Sequence, residues 1–343
     1  MRFRRTAPSV LIGAVAIVVV VVTMISTHLF TGMTAAVEAR QFDTMQAIVS
    51  FEVASAEDRA LARAEMLADL PDLKRRFKAG DRAGLLADYG ALFESQHDKY
   101  GVDQLQMQVP PATTFLRFQD PAKFGDDVSA TRPLVVAVNR DHIARKAPAI
   151  GRNGPALYGI VPVTDDAGGY IGSLEVGMNI GAVLDSLKAA YGLELALLID
   201  EEKLRRLAPG IDKAVLDDRN RVGKYLKVHA THWEPLQVLA TSRDLVGLTE
   251  PRRYVRTAMG VPYGVLLVPI YNAAGEPLGV IVAGKSFEAS RQGAARSLVW
   301  QGLLALFAIV LLAGVILVVI RGHLQALEAE RAAAAPPSAG GDA

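Results

Sequence analysis

Two stretches of the chain carry no Asp, Glu, Lys or Arg: residues 10–30, 21 positions, and residues 298–320, 23 positions. As helices at ~1.5 Å per residue each reaches about 31 Å or a little more, the thickness of one hydrocarbon core. The pattern predicts two transmembrane helices, with His28 and Trp300 at interfacial depth near their outer ends. Thr34-Ala35-Ala36 makes a cleaved signal peptide the rival for the first, although such peptides have apolar cores of only about 7–15 residues. Arg2, Arg4 and Arg5 precede the first stretch and Arg321 and Arg331 follow the second. This places residues 1–9 and 321–343 on the cytoplasmic side and residues 31–297 outside it. Helix is expected to continue over residues 325–331. The rest of the tail, ending Pro-Pro-Ser-Ala-Gly-Gly-Asp-Ala, reads as disordered, with no room for an output module.

Between the spans the period changes. Residues 33–68 are rich in Ala, Glu and Arg without Gly or Pro, so a helix is expected until Pro71 breaks it. A second helical stretch sets Leu85, Tyr89, Leu92, Phe93, Gln96 and Tyr100 on one stripe, expected to face a core. Residues 31–100 are thus a helical stalk. Residues 104–109 and 113–118 read as strands joined through Pro110-Pro111. A helix capped by Ser129 is expected to carry Arg132, Val135, Val136 and Asn139 on one face. Residues 158–164 and 170–178 form a hairpin around Asp165-Asp166-Ala167-Gly168-Gly169. Residues 179–191 return to a helical pattern and 193–199 to a strand.

The hairpin recurs. Residues 161–177 align with 268–284 at a constant offset of 107, matching Pro162 with Pro269, Gly168 with Gly275, Gly172 with Gly279 and Gly177 with Gly284. Two copies of one sheet unit are expected, in lobes 101–192 and 193–287. A short helix from Glu288 should then lead into the second span.

Composition narrows the chemistry. With 51% hydrophobic and 21% charged residues, the chain is too apolar to be disordered and too charged to be polytopic. A net charge of +1 offers no global field for nucleic acid. The absence of cysteine excludes disulfides, thiolate metal sites, iron–sulfur clusters and a cysteine nucleophile. There is no Walker-type phosphate loop and no Gly-x-Ser-x-Gly elbow. His229 and His232 have helical i, i+3 spacing with Glu234 nearby, but nothing completes a zinc shell, so neither metal nor cofactor is expected. Arg252, Arg253 and Arg256 read as a solvated strand face.

Pro110-Pro111, Phe115-Leu116-Arg117, Lys123-Phe124-Gly125-Asp126-Asp127, Arg132, Gly151-Arg152, Gly159-Ile160-Val161-Pro162 and Gly172-Ser173-Leu174-Glu175 stand in order along the chain. The set resembles the double Cache sensory domains of bacterial methyl-accepting chemotaxis proteins and sensor kinases, over about residues 35–290. The resemblance implies an α+β fold of two PAS-like lobes, each an antiparallel sheet of five strands, stacked on a long N-terminal helix. It also implies a bacterial inner-membrane protein with a periplasmic sensor, a small ligand in the membrane-distal lobe (101–192) and a parallel homodimer; without an output module of its own, the chain is expected to signal through a partner or to be a truncated receptor. Two features depart from it. No HAMP segment or output module follows residue 320, and Tyr158 stands where an arginine is expected before the Gly-Ile-Val-Pro strand.

Five residues are candidates for ligand contact: Arg117, Arg132, Arg152, Tyr158 and Glu175. A charge in an apolar strand, such as Arg117, needs a partner, and guanidinium groups offer carboxylates bidentate hydrogen bonds. An organic anion or amino-acid-like ligand is therefore expected. Glu175 falls where the repeat places Val282, which marks the first lobe as the polar copy. For Arg117 and Arg132 the alternative is internal pairing with Asp126, Asp127 or Glu175. For Tyr158 it is a core position, and for Glu175 internal pairing is favoured.

Three functions compete: an extracytoplasmic small-molecule sensor, a two-span scaffold resembling polysaccharide chain-length regulators, and an enzyme. The scaffold requires a longer unbroken helix than Pro71 and Gly80 allow and a Pro/Gly-rich approach to the second span, whereas residues 288–297 hold one Gly and no Pro. No nucleophile–base constellation supports an enzyme.

Overall fold

Proline and glycine set the boundaries of the first elements. The computed structural model describes residues 3–333. The last part of the tail expected to be disordered, residues 334–343, lies outside the described residues. Helix α1 (Phe3–Ala68) ends where Leu70 turns extended before Pro71, the first residue of α2 (Pro71–Lys78). A residue before proline is pushed out of helical space. Helix α3 (Arg82–Tyr100) starts behind Asp81, whose carboxylate accepts from the Gly84 N–H at 2.8 Å, and ends at left-handed Gly101. Of the stripe expected to face a core, Leu85 and Phe93 are buried, but Leu92 and Tyr100 are exposed. Leu92 is turned roughly 100° from the line through Leu85, Tyr89 and Phe93. Tyr100 is the last helical residue, with the Arg63 guanidinium 5.6 Å from its ring centre.

The first sheet holds β1 (Val102–Val109), β2 (Thr113–Arg117), β3 (Arg145–Gly151), β4 (Gly154–Thr164) and β5 (Tyr170–Asn179), in the antiparallel order β2-β1-β5-β4-β3. Helix α4 (Pro133–Asp141) lies in the connection from β2 to β3. It starts later than the sequence pattern suggests. Pro133 is its first residue, so Arg132 keeps a non-helical backbone at the N-cap rather than joining the helix face, and Ser129 caps nothing.

Helix α5 (Ile180–Tyr191), capped by Asn179, leads to the second sheet. This lobe runs β6 (Glu194–Asp200), α6 (Glu201–Leu207), β7 (Arg221–Val222), β8 (Tyr225–Ala230), α7 (Trp233–Leu239), α8 (Ser242–Leu245), β9 (Arg252–Ala258), β10 (Val261–Tyr271) and β11 (Pro277–Ser286). Its order is β7-β8-β6-β11-β10-β9, six strands rather than five, because the two-residue β7 adds an edge. His229 sits on β8 and His232 precedes α7, so the two share no helix face. Arg252 and Arg253 are exposed, while Arg256 is half-buried and bonded to Asp244.

The repeat is accurate to the residue. The bounds of β10 and β11 are those of β4 and β5 plus 107. The pairing Leu157–Met178 recurs as Gly264–Lys285. Both turns use an Asx side chain: Asp165 accepts from the N–H groups of Ala167 and Gly169, and Asn272 from those of Ala274 and Glu276.

Strand alternation gives each sheet two faces. One face of both sheets joins a core with α1. Ala56, Ala60 and Ala64 belong to it with Leu157, Val161 and Leu174, as do Phe42, Met45 and Val49 with Leu195, Leu266 and Ile281. A Cβ at Gly159 would overlap the α1 backbone at Ala60 and Leu61, so helix and strand touch main chain to main chain there. The opposite face of the second sheet is apolar: Val265, Leu267, Val280 and Val282 cluster with Leu236 and Leu239 of α7. In the first sheet that face carries the polar residues described below.

These elements lie in one unit, Arg40–Phe287. A second unit comprises Met1–Ala39 and Glu288–Ala343, the latter containing α9 (Glu288–Ala333). Within it Arg291 pairs with Glu38 at 2.7 Å. The two helices are long and apolar enough to cross a membrane, by length and composition.

Candidate functional site

On β1 the residues alternate Gln104, Leu105, Gln106, Met107, Gln108. Leu105 and Met107 enter the core with α1, which turns all three glutamines to the other face. Cross-strand register then sets Arg117 and Glu175 on either side of Gln106, Gly177 beside Gln104, and Ser173 beside Gln108. On β4, Ile160 pairs with Glu175 and Tyr158 with Gly177. All of these polar side chains are at least nine-tenths buried. Val135 and Val138 of α4 cluster with Tyr158 and Ile160 over one part of this face. The rest opens into a pocket of about 190 Å³, with Gln106, Gln108, Arg117, Arg132 and Arg152 among its walls. That volume suits a small organic molecule rather than a single water.

Every N–H of Arg117 has a protein acceptor. Its Nε donates to Gln106 Oε1 at 3.2 Å, Nη1 to Lys123 O and Asp126 Oδ1, and Nη2 to Asp126 Oδ2 and Thr114 Oγ1. A guanidinium has five such donors, so this one is saturated. The hydrogen bonds from Arg117 hold the Asp126 carboxyl below the usual carboxylate range.

Arg132 is arranged otherwise. Its Cζ lies 4.0 Å from the centre of the Tyr158 ring, a cation–π stack. Its Nη2 is 2.5 Å from Glu175 Oε2, yet the two are misaligned for a hydrogen bond. Arg132 Nη1 and Nη2, Glu175 Oε2, Tyr158 Oη, Gln104 Nε2 and Arg152 Nε are all buried without a hydrogen-bond partner among the described residues. Native proteins leave few such groups; here Arg132 and Arg152 bring theirs to the wall of the cavity. Burial pushes the Tyr158 hydroxyl up to about 12, so it stays protonated and can donate. Burial likewise raises the Glu175 carboxyl, against the pull of Arg132 and Arg117. Burial opposes the charge on Arg132, but the fields of Glu175 and Tyr158 outweigh it and raise its pKa. Gly151 closes this end: a Cβ there would meet Tyr158 Oη, Gln104 Oε1 and Arg132 Nη1.

The five sequence candidates therefore gather at one place. Arg117, Arg132 and Arg152 line the pocket, and Tyr158 and Glu175 lie buried against Arg132. Sequence reading passed over Gln104, Gln106 and Gln108, although their period-two spacing was a usable sign of a polar sheet face. It also passed over Arg206, Leu207 and Pro209, which reach the pocket from α6 and the segment after it. Among the described residues no group of three His, Asp or Glu side chains is placed to hold a metal ion.

A pair of repeated sheet lobes between two candidate membrane helices, with a polar pocket in one lobe, is the architecture of a sensory ectodomain. Residues 36–290 match the family profile described as the double sensory domain of two-component sensor kinases, and the chain belongs to this double Cache family. No curated protein matches the chain significantly. Among solved structures, the ligand-binding domain of the Campylobacter jejuni chemoreceptor Tlp3, in complex with 4-methylisoleucine, is similar at 11% identity and TM-score 0.44, over 76% of this chain and 94% of that one. The sensor domain of the Vibrio cholerae histidine kinase DctB is similar at 9% identity and TM-score 0.42, over 73% and 98%. An extracellular ligand-binding receptor from Desulfohalobium retbaense is similar at 15% identity and TM-score 0.38, over 71% of this chain. The chain spans 40% of that receptor's length.

Proposed function

We propose that this protein is a two-pass inner-membrane sensor whose ectodomain stands in the periplasm and binds a small organic anion in the pocket of its first lobe. The observation that carries the reading is the cluster of buried donors without a hydrogen-bond acceptor around Arg132 (Arg132 Nη1, Arg152 Nε, Tyr158 Oη and Gln104 Nε2), which a carboxylate would satisfy. Arg132, Arg152 and Tyr158 are the proposed donors to the ligand. Arg117 and Glu175 are positioning residues, the first holding the loop at Asp126 and the second holding Arg132. The second lobe supports this assignment by contrast, since the equivalent face there is filled with valine and leucine. The two-lobed ectodomain is not the helical rod that a chain-length scaffold calls for, and the family is one of sensor domains rather than enzymes.

A ligand moves a two-state equilibrium only through its difference in affinity for the two states. Here that difference would arise where Arg132 and Glu175 realign around a bound carboxylate, and the change would pass through the membrane helices to a signalling partner. Thermal unfolding of the full chain in detergent, screened against organic acids, amino acids and amines, tests the reading. An acid at ~100 times its dissociation constant should add about 2.7 kcal/mol. Stabilisation by amines alone, or by nothing in the panel, would contradict it.

The sensor is proposed to act as a parallel homodimer along α1, where Phe51 is 68% exposed. The chain has no cysteine, so Phe51→Cys gives a single thiol for crosslinking. A disulfide-linked dimer on oxidation is expected, and an exclusively monomeric product contradicts the arrangement.

A further inference from the structure

The pocket of the first lobe is not built by that lobe alone. Arg206 and Leu207, from α6 of the second lobe, line it together with Pro209. The same two residues also line a cleft of about 690 Å³ between α4 and β3 on one side and the β10–β11 turn on the other, and Thr131 and Arg132 are common to both spaces. The Gly210 N–H donates to the Arg152 carbonyl at 2.9 Å, which ties the segment after α6 to the β3–β4 turn.

Charges around the pocket are unevenly matched. Arg117 is paired with Asp126, and Arg132 with Glu175. Asp127 also lines the wall, and its carboxylate accepts from the Ser129 N–H. Arg152 and Arg206, one from each lobe, have no carboxylate within ion-pair distance among the described residues. Arg132 is buried, Arg152 is half-buried and Arg206 is exposed. The Arg132 donors that lack a hydrogen-bond acceptor thus lie deep, and the two cations without a carboxylate lie nearer the lip.

We propose that the pocket is a two-lobe site for a small dicarboxylate. One carboxylate takes the inner donors around Arg132, and the other is held at the lip by Arg152 and Arg206. Arg206 is then the second lobe's contact with the ligand, and binding draws α6 toward the first lobe and narrows the cleft. This rests on the pocket being the sensor site proposed above, and deepens it by naming the ligand class and the link between lobes.

The test is calorimetric titration of the full chain in nanodiscs with succinate and with butyrate, acids of equal carbon count and unequal charge. The unmodified protein should bind succinate more tightly. Arg206→Gln should weaken succinate about tenfold, the scale of one charge-assisted hydrogen bond, and leave butyrate within about twofold. Arg206→Lys should recover part of the loss. Spin labels at Ala137→Cys and Ala274→Cys, which flank the cleft in a chain without cysteine, should approach one another with succinate and not in the Arg206→Gln background. Unchanged succinate affinity in Arg206→Gln overturns the two-lobe site and leaves the sensor reading standing. Binding of neither acid by the unmodified protein overturns the dicarboxylate assignment, and the sensor reading falls with it only if the wider panel of acids and amino acids also fails to stabilise the protein.

Discussion

Glu175 and Val282 occupy one register position in two copies of the same hairpin, and only the first sets a carboxylate against a buried guanidinium. Glu175 Oε2 lies 2.5 Å from Arg132 Nη2, whereas Val282 packs in an apolar cluster with Leu236 and Leu239. A polar residue likewise faces an apolar one at two further positions 107 residues apart: Tyr158 for Val265 and Ser173 for Val280. One backbone plan therefore yields a pocket in the first lobe and a filled core in the second.

The Arg132–Glu175 pair sets the first prediction. Glu175→Val, the residue of the second copy, leaves Arg132 buried without its counter-charge and should cost about 3–5 kcal/mol in urea unfolding. Adding Arg132→Met should recover most of that loss, because an apolar replacement of a buried pair is often neutral or better. If the double variant is as unstable as the single one, the cost does not arise from the stranded charge.

Tyr158 has separable parts. Its hydroxyl is buried without a partner and its ring lies against Arg132. Tyr158→Phe should leave stability within about 1 kcal/mol, and Tyr158→Ala should cost about 3–5 kcal/mol. A drop in carboxylate affinity for Tyr158→Phe at unchanged stability would identify the hydroxyl as a ligand donor.

Asp126 predicts a pH dependence. Its folded-state pKa is lowered, chiefly by the hydrogen bonds from Arg117. Its stabilising contribution is therefore fully present above the unfolded value of about 3.9 and fades as pH falls below it. Asp126→Asn should lower the urea midpoint at neutral pH, and the gap to the unmodified protein should narrow as pH falls below about 4. A gap of constant size across that range would show that the carboxylate charge is not what matters.

Gly159 lies against the α1 backbone, which cannot give way as a side chain can. Gly159→Ala should cost about 1–3 kcal/mol by overpacking. Gly284→Ala, whose nearest neighbour is a Leu239 methyl carbon at 3.2 Å, should cost less. Equal thermal shifts for the two would contradict the close approach of helix and sheet.

Much of this architecture could be read from period and repeat. The uncharged stretches, the Gly/Pro matches at an offset of 107 and the Asx turns are local signals, and they located the two candidate membrane helices and both hairpins. The start of α4 was misplaced because the pattern of Val135, Val136 and Asn139 outweighed Pro133 in the reading, although proline restricts the residue before it. Arg117, Arg132 and Glu175 were legible as charges among apolar neighbours. That Arg117 is saturated and Arg132 is not depends on which loops return to each, which no local pattern encodes. Arg206 sits in a short helix of charged residues that looks like a solvated face, and only the tertiary fold carries it to the pocket of the other lobe.

The proposed sensor stands on a small carboxylate binding at Arg132 in the first lobe. Calorimetric titration of the full chain with succinate, beside the Arg132→Met/Glu175→Val variant, tests it most directly. Saturable heat is expected from the unmodified protein and none from the equally folded variant. Equal binding by both would contradict it.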